Sequence, residues 1–143
     1  MRTIFLMLFL MAACHGFAQS TEDSVKATVN RLFKAMNDAD SAGVVNVFAQ
    51  DAVIHSMGKT AVKGEKVEEF GSSIKKLKKG QLDERIEFGA VHIDANLASV
   101  WTPYRLYFDG KFIHCGADSF QLVRFGGEWK ISYLIDTRRK DCD

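Results

Sequence analysis

The sequence contains a single proline and three cysteines, and its charges nearly cancel, with 19 Lys and Arg against 18 Asp and Glu. This balance excludes a strongly basic nucleic-acid-binding arm, or an acidic solvating tail, as the main feature of the chain. A disordered chain is excluded as well, because 47% of the 143 residues are hydrophobic and 11 are phenylalanine. The length leaves no room for two domains, so one globular domain is predicted.

Long apolar runs are absent except at the start of the chain. Arg2 is followed by an uninterrupted apolar run over residues 4–14, and then by Gly-Phe-Ala-Gln at residues 16–19. This order is typical of a secretory signal peptide. The run is too short for a hydrocarbon core that needs about 20 residues, so no transmembrane helix is expected. We predict a signal peptide over residues 1–18 and a single secreted or periplasmic domain over residues 19–143.

An alternative start of the mature chain stays open at Cys14. Residues 11–14, Met-Ala-Ala-Cys, resemble the lipobox of bacterial lipoproteins, in which the cysteine carries the lipid. Met11 stands where a leucine is usual, and the apolar stretch before it is short. Cleavage after Ala18 is therefore favoured over a lipid anchor at Cys14.

Two further cysteines, Cys115 and Cys142, remain in the mature chain. An exported domain can oxidise such a pair. Two cysteines make no disulfide framework, however, so we expect a buried free thiol at Cys115 and a loose one at Cys142.

The apolar spacing predicts helices first and strands afterwards. Helices are expected over residues 20–37, 41–48 and 64–80. One strand is expected over residues 51–57, and four more over residues 82–93, 97–108, 111–125 and 128–137. Asp109-Gly110 and Gly126-Gly127 favour tight hairpins, whereas Pro103 inside a strand requires an edge or a bulge. The order predicts an α+β domain with an antiparallel sheet packed on helices.

Metal and cofactor sites are not expected. His55, His92 and His114 stand singly, without the close pairing of zinc ligands. His114 and Asp118 share one face of a strand, but they are about 13 Å apart there, too far to bind one metal ion directly.

Two stretches of the sequence carry a resemblance to a known superfamily. They are residues 30–57, NRLFKAMNDADSAGVVNVFAQDAVIHSM, and residues 118–131, DSFQLVRFGGEWKI. Both resemble the nuclear-transport-factor-2-like superfamily, which includes ketosteroid isomerases, polyketide cyclases and exported proteins described as "putative lumazine-binding". The resemblance implies a cone-shaped, cystatin-like α+β roll. Three N-terminal helices then pack in a strongly curved antiparallel sheet, with a pocket at the open end.

The same resemblance can be followed to the catalytic positions of the isomerase. That enzyme uses an aspartate base, with a tyrosine and a protonated aspartic acid as oxyanion donors. The tyrosine position falls on Leu32 and the base on Ser56. The second acid falls on Gln121, or on Ser119 if the hairpin gap is set differently. Leu32 cannot donate a hydrogen bond and Ser56 has no basic neighbour in sequence, so steroid isomerisation is not expected.

A pocket wall and an interface follow from the two-residue period of the strands. Candidate ligand-binding residues are Ser56, Thr102, Tyr104, Ser119, Gln121, Leu134, Asp136 and Arg138. Asp136 and Arg138 could equally form a structural ion pair at the mouth of the cone. An outward apolar row predicts a homodimer surface: Phe120, Leu122, Trp129, Ile131 and Tyr133.

Three functions stay open on these grounds. The first is an exported, non-catalytic domain that binds an unknown small molecule, without nucleic acid as a partner. The second is an enzyme of the isomerase or cyclase type with a displaced acid–base residue at Asp136, His55 or His114. The third is a dimeric interaction module whose cone is filled by its own side chains.

Overall fold

The computed structural model describes residues 20–142, so the predicted signal peptide and Cys14 lie outside the described residues. The elements, in chain order, are α1 (Thr21–Asn37), α2 (Ser41–Asn46), β1 (Phe48–Met57), β2 (Val62–Glu65), α3 (Val67–Ile74), β3 (Leu82–Ile86), β4 (Ala90–Asp94), β5 (Leu97–Phe108), β6 (Lys111–Phe125) and β7 (Glu128–Thr137). Within residues 20–142, no helix is both long enough and apolar enough to cross a membrane.

The two N-terminal helices begin at side-chain caps. The Ser20 hydroxyl accepts a hydrogen bond from the Asp23 amide at 3.0 Å, and so satisfies one of the free N–H groups of α1. Asp40 caps α2 in the same way through the Gly43 amide, so the cap lies one residue before Ser41. The apolar face of α1 is buried against the sheet through Val25, Val29, Leu32 and Met36. Helix α1 therefore packs across one face of the sheet.

The segment before α3 differs from the sequence prediction. Residues 62–65 form strand β2, which pairs antiparallel with residues 54–57 of β1. The third helix starts at Val67, three residues after Gly64, and ends at Ile74. Gly64 allows the close approach of the His55 ring across the strand pair, because a Cβ there would lie 3.3 Å from that ring. Glycine at this position thus serves strand packing.

All seven strands form one mixed sheet in the order β2-β1-β7-β6-β5-β3, with β4 also paired to β5. The β1–β7 pair is parallel, and this corrects the expectation of a wholly antiparallel sheet. The predicted strand over residues 82–93 is two strands, both paired to β5. They separate opposite Pro103, whose carbonyl accepts a hydrogen bond from the Glu87 amide but which has no N–H to donate. The proline therefore sits where the edge of the sheet is interrupted.

A bulge in β7 decides which side chains enter the core. Gln121 pairs with Tyr133 and Leu122 pairs with Ile131, so Ser132 is an extra residue on β7. Because of this residue, Ile131 and Leu134 both face the helices, although three positions separate them. Without the bulge, the two-residue period would turn them to opposite faces.

The predicted outward row is wrong for four of its five residues. The side chains that lie in the core, with at most 3% exposure, are Phe120, Leu122, Trp129 and Ile131. On β6 the inward set is one residue out of step with the prediction, and on β7 the bulge moves the first half of the strand inward. Tyr133 does lie on the outer face, where its hydroxyl is 3.0 Å from His55 Nδ1.

A disulfide joins Cys115 to Cys142, with the two Cα atoms 6.0 Å apart. The expectation of free thiols is therefore wrong. Residues after β7 return along β6, and the Cys115 and Arg139 backbones exchange two hydrogen bonds of 3.0 and 2.8 Å. This return places the two sulfur atoms side by side, which the sequence separation of 27 residues does not reveal.

Candidate functional site

A partly open cavity of about 170 Å³ lies between the helices and the concave face of the sheet. Its lining combines apolar residues from α1, β1 and α3 with ionisable residues from the strands. Drug-sized ligands occupy roughly 300–1,000 Å³, so the space suits a molecule smaller than a steroid. The lining residues are Leu32, Phe33, Met36, Ile54, Ser56, Glu65, Phe70, Leu82, Glu84, Tyr104, Leu106, His114, Asp118, Leu134, Asp136 and Arg138.

Five of the eight predicted pocket residues line this cavity together: Ser56, Tyr104, Leu134, Asp136 and Arg138. Thr102 faces inward as predicted, but its hydroxyl lies behind the wall and bonds Asp118. Ser119 and Gln121 do not take part. They alternate with the buried Asp118 and Phe120 and therefore face the outer side, where Gln121 accepts a hydrogen bond from Ser99 at 2.7 Å.

The predicted pair of Asp136 and Arg138 is formed at the rim of the cavity. Arg138 Nε donates to the Asp136 carboxylate at 2.7 Å, and Arg138 also donates to the Ser56 hydroxyl at 2.9 Å. Ser56 in turn donates to Asp136. The bond to Asp136 raises the pKa of the Arg138 guanidinium, so this cation is fixed in place at any physiological pH.

Tyr104 and His114 form a second polar group in the wall. The Tyr104 hydroxyl donates to the Thr137 carbonyl at 2.8 Å, and His114 Nδ1 lies 3.1 Å from the same hydroxyl. A hydroxyl has one proton, so His114 Nδ1 is the donor in this pair, which assigns the tautomer and leaves Nε2 as an acceptor. Burial, and then the charge of Arg138, lower the pKa of His114, so the ring is neutral at pH 7.

Asp118 is the most deeply buried carboxyl group of the site, at 4% exposure. It accepts a hydrogen bond from Thr102 at 3.2 Å. Burial and the nearby Asp136 carboxylate raise the pKa of Asp118 to about 8. A large share of this group is consequently protonated at neutral pH, when it can donate a hydrogen bond as well as accept one.

Two glutamates complete the acidic wall. Burial, followed by repulsion from Asp118 and Asp136, raises the pKa of Glu84 well above its usual range. Glu84 lines the cavity, and no residue within 20–142 donates a hydrogen bond to its carboxyl group. Burial and the charge of Glu69 raise the pKa of Glu65. Among the described residues, no three His, Cys, Asp or Glu side chains have the arrangement of a metal site.

Sequence reasoning missed Asp118, Glu84 and Glu65 as site residues. For Asp118 a signal was present, because Phe120 and Leu122 continue its face and are too large and apolar to leave a core easily. If Phe120 and Leu122 are assigned to the core, the two-residue period of the strand places Asp118 on the inner face as well. For Glu84 no comparable signal exists, since a glutamate in a short edge strand is usually solvated.

Known proteins resemble this chain in fold and in sequence family. Residues 20–133 match the family model described as "Putative lumazine-binding". A structure from Shewanella baltica, described as an NTF2-like protein of unknown function, superposes with a TM-score of 0.68 at 14% identity, covering 84% of this chain and 94% of that one. A cystatin-like protein of unknown function from Nostoc punctiforme gives 0.67 at 18% identity, with coverages of 84% and 78%. No curated protein sequence matches this chain.

These structural matches establish the NTF2-like, cystatin-like α+β fold, as the sequence predicted. At such low identity they carry the fold alone, whereas the family match spans nearly all of the described residues. The chain belongs to the "Putative lumazine-binding" family.

Proposed function

We propose that the cavity binds a small molecule and that the domain works outside the cytoplasm as a non-catalytic ligand-binding protein. One observation carries the proposal: a partly open cavity lies inside the fold, and the carboxyl group of Glu84 in its wall receives no hydrogen bond from any residue within 20–142. Glu84 is half-buried, and a ligand that enters the cavity can donate the hydrogen bond that the protein does not supply to it. The open cavity also supports this function over an interaction module with a filled cone.

Lumazine, the compound in the family description, is a suitable first probe because it is small, bicyclic and fluorescent. We expect its fluorescence to change on titration with the wild-type protein. Leu106→Trp should abolish the change by filling the cavity, since Leu106 lines it. The matched control is Leu97→Trp on the same strand, where the side chain is 49% exposed.

Mass spectrometry of small molecules released from the denatured protein extends the test to other ligands. A compound present in the wild type and absent from Leu106→Trp would support the proposal. If neither lumazine nor any released compound distinguishes Leu106→Trp from Leu97→Trp, the ligand-binding function is wrong.

An enzyme of the isomerase or cyclase type is the second candidate, and Asp118 favours it. A buried carboxyl group with a pKa of about 8 is suited to general acid or base work near neutral pH. Such a role would fall on a residue other than the positions that the superfamily's isomerase uses, because Leu32 and Ser56 occupy two of them.

We expect no isomerisation of a β,γ-unsaturated steroid above the uncatalysed rate. Leu32 supplies no oxyanion donor, Ser56 is no base because its hydroxyl is bonded to Asp136 and Arg138, and the cavity of about 170 Å³ is small for a steroid. The change in ultraviolet absorbance on conjugation measures the rate. A measurable rate that disappears in Asp118→Asn would revive the enzyme function.

Homodimer formation through the outer face of the sheet remains part of the proposal, with a corrected set of residues. Trp101 and Val53 are 46% and 42% exposed there. Trp101, Ser119, Ile135 and His55 form one continuous cross-strand row. The helices pack on the opposite face, so this row and the exposed apolar side chains of Trp101 and Val53 stay uncovered, as in surfaces that bind a partner.

Trp101→Glu should shift the protein from dimer to monomer. Two-fold symmetry would place two buried, unpaired charges in the contact, and each such charge is strongly unfavourable. Sedimentation velocity at tens of micromolar measures the change, with Ala42→Glu as the control because Ala42 is exposed on α2, on the helical side of the sheet. A wild type that sediments as a monomer would contradict the dimer.

Export is supported by the Cys115–Cys142 disulfide, since such bonds persist in oxidising compartments. We expect the exported protein to start at Gln19 and to show no free thiol after denaturation. N-terminal sequencing and thiol titration test this. A lipid-modified Cys14 at the start would replace the predicted cleavage site, and an intact Met1 would contradict export.

A further inference from the structure

Ionisable groups of one sign dominate the wall of the cavity. Four carboxyl groups line it, from Glu65, Glu84, Asp118 and Asp136, against one cation, Arg138. The remaining titratable groups that face Glu84 are Tyr104 and His114, and both are neutral near pH 7. Helices α1 and α3 contribute apolar side chains only. The cavity therefore combines acidic groups from the strands with apolar side chains from the helices.

The acidic residues of the cavity differ in the number of hydrogen bonds that their carboxyl groups accept. Asp136 accepts bonds from Arg138 and Ser56, and Asp118 accepts one from Thr102. Glu84 is half-buried and lines the cavity, and no residue within 20–142 donates a hydrogen bond to its carboxyl group. A ligand in the cavity is therefore in a position to supply the donor that the fold does not.

We infer that the ligand is a small delocalised organic cation of the amidinium type, whose N–H groups bond Glu84 and Asp118. This inference rests on the proposed function that the cavity binds a ligand. A planar amidinium presents two parallel N–H groups, which match a carboxylate bidentately. An amidinium is also more weakly hydrated than an ammonium ion, so its desolvation on entering an apolar cavity costs less free energy.

The inference predicts proton release on binding. Without ligand, burial and mutual repulsion raise the pKa of Glu84 well above its usual range and that of Asp118 to about 8. A cation between them stabilises the ionised carboxylates, so each binding event expels protons to solvent. Affinity should accordingly rise as the pH increases through about 8, the pKa of Asp118. A ligand that accepts hydrogen bonds from the protonated acids would show the opposite trend.

Benzamidine, benzamide and benzoate test the inference, because they share size and shape but are cationic, neutral and anionic. We expect benzamidine to bind about tenfold more tightly than benzamide, as charge-assisted hydrogen bonds are roughly twice as strong as neutral ones. Benzoate should bind most weakly. Calorimetry in two buffers of different ionisation enthalpy measures both affinity and proton release.

Glu84→Gln should remove most of the preference for benzamidine over benzamide. Asp83→Asn is the matched control, since Asp83 precedes Glu84 on β3 and pairs with Arg85 instead of lining the cavity. If Glu84→Gln does not fold, Asp118→Asn replaces it in the same comparison.

Equal or tighter binding of benzamide or benzoate would overturn the inference. So would binding of lumazine when none of the three probes binds, although that outcome would leave the proposed function standing. If lumazine, the probes and any co-purified compound all fail to bind, the proposed function is wrong together with the inference.

Discussion

Phe120→Ala should lower the free energy of unfolding by about 4 kcal/mol, within the range for truncation of a buried phenylalanine. Phe120 is fully buried on β6, and its ring meets Phe33 of α1 edge to face, with centroids 6.1 Å apart. Removing the ring opens a cavity between the sheet and the helix that organises the fold. Urea denaturation followed by circular dichroism measures the loss.

Phe125→Ala is the control for this variant, because Phe125 lies on the same strand but is 72% exposed. Its effect should stay within about 0.5 kcal/mol. If both variants lose the same small amount, Phe120 would be a surface residue. The strand parity described for β6 would then be wrong, together with the placement of Asp118.

Asp118→Asn should make the protein markedly more stable at alkaline pH. The pKa of Asp118 is raised from 3.8 in the unfolded chain to about 8 in the folded one. Between these values the folded state binds more protons, so stability is greatest at low pH and falls as the pH rises through about 8. At about 1.4 kcal/mol per pKa unit, the ionised group costs on the order of 5 kcal/mol at pH 9.

The asparagine variant carries no charge and can still accept the bond from Thr102. We expect it to exceed the wild type by roughly 3 kcal/mol at pH 9 and to differ by less than about 1 kcal/mol at pH 5. Urea titrations at the two pH values measure this. Asp83→Asn should show no such divergence, and a wild type whose stability increases from pH 5 to pH 9 would contradict the raised pKa.

Much of the fold follows from local sequence patterns. The period of 3.6 residues locates α1 through Val25, Val29 and Leu32, and the two glycine-containing dipeptides locate the β5–β6 and β6–β7 hairpins. The parallel pairing of β1 with β7 could not be predicted, since it joins segments some 80 residues apart and leaves no local signature. Strand β2 is not predicted from the sequence, because Gly64 indicates the start of a helix there.

The site was predictable on β5 and on the second half of β7, and not on β6. Tyr104, Asp136 and Arg138 keep the period of their strands and reach the cavity. On β6, the assignment of the second isomerase acid to Gln121 places the wrong set of side chains on the inner face. Because side chains alternate between the two faces of a strand, a shift of one residue exchanges the inward and outward sets completely. The disulfide was not predictable either, because it depends on the return of the chain after β7.

The bulge at Ser132 divides β7 into a first segment that packs in the core and a second segment that reaches the cavity. Before it, Trp129 and Ile131 are part of the core, whereas after it, Asp136 lines the cavity and Leu134 belongs to both the core and the cavity wall. Mutations of Trp129 and Ile131 therefore act on stability, whereas mutations of Asp136 act on the chemistry offered to a ligand. In evolution, related chains could exchange one specificity for another downstream of Ser132 without rebuilding their interior. Designers could diversify residues 136 and 138 on a constant scaffold.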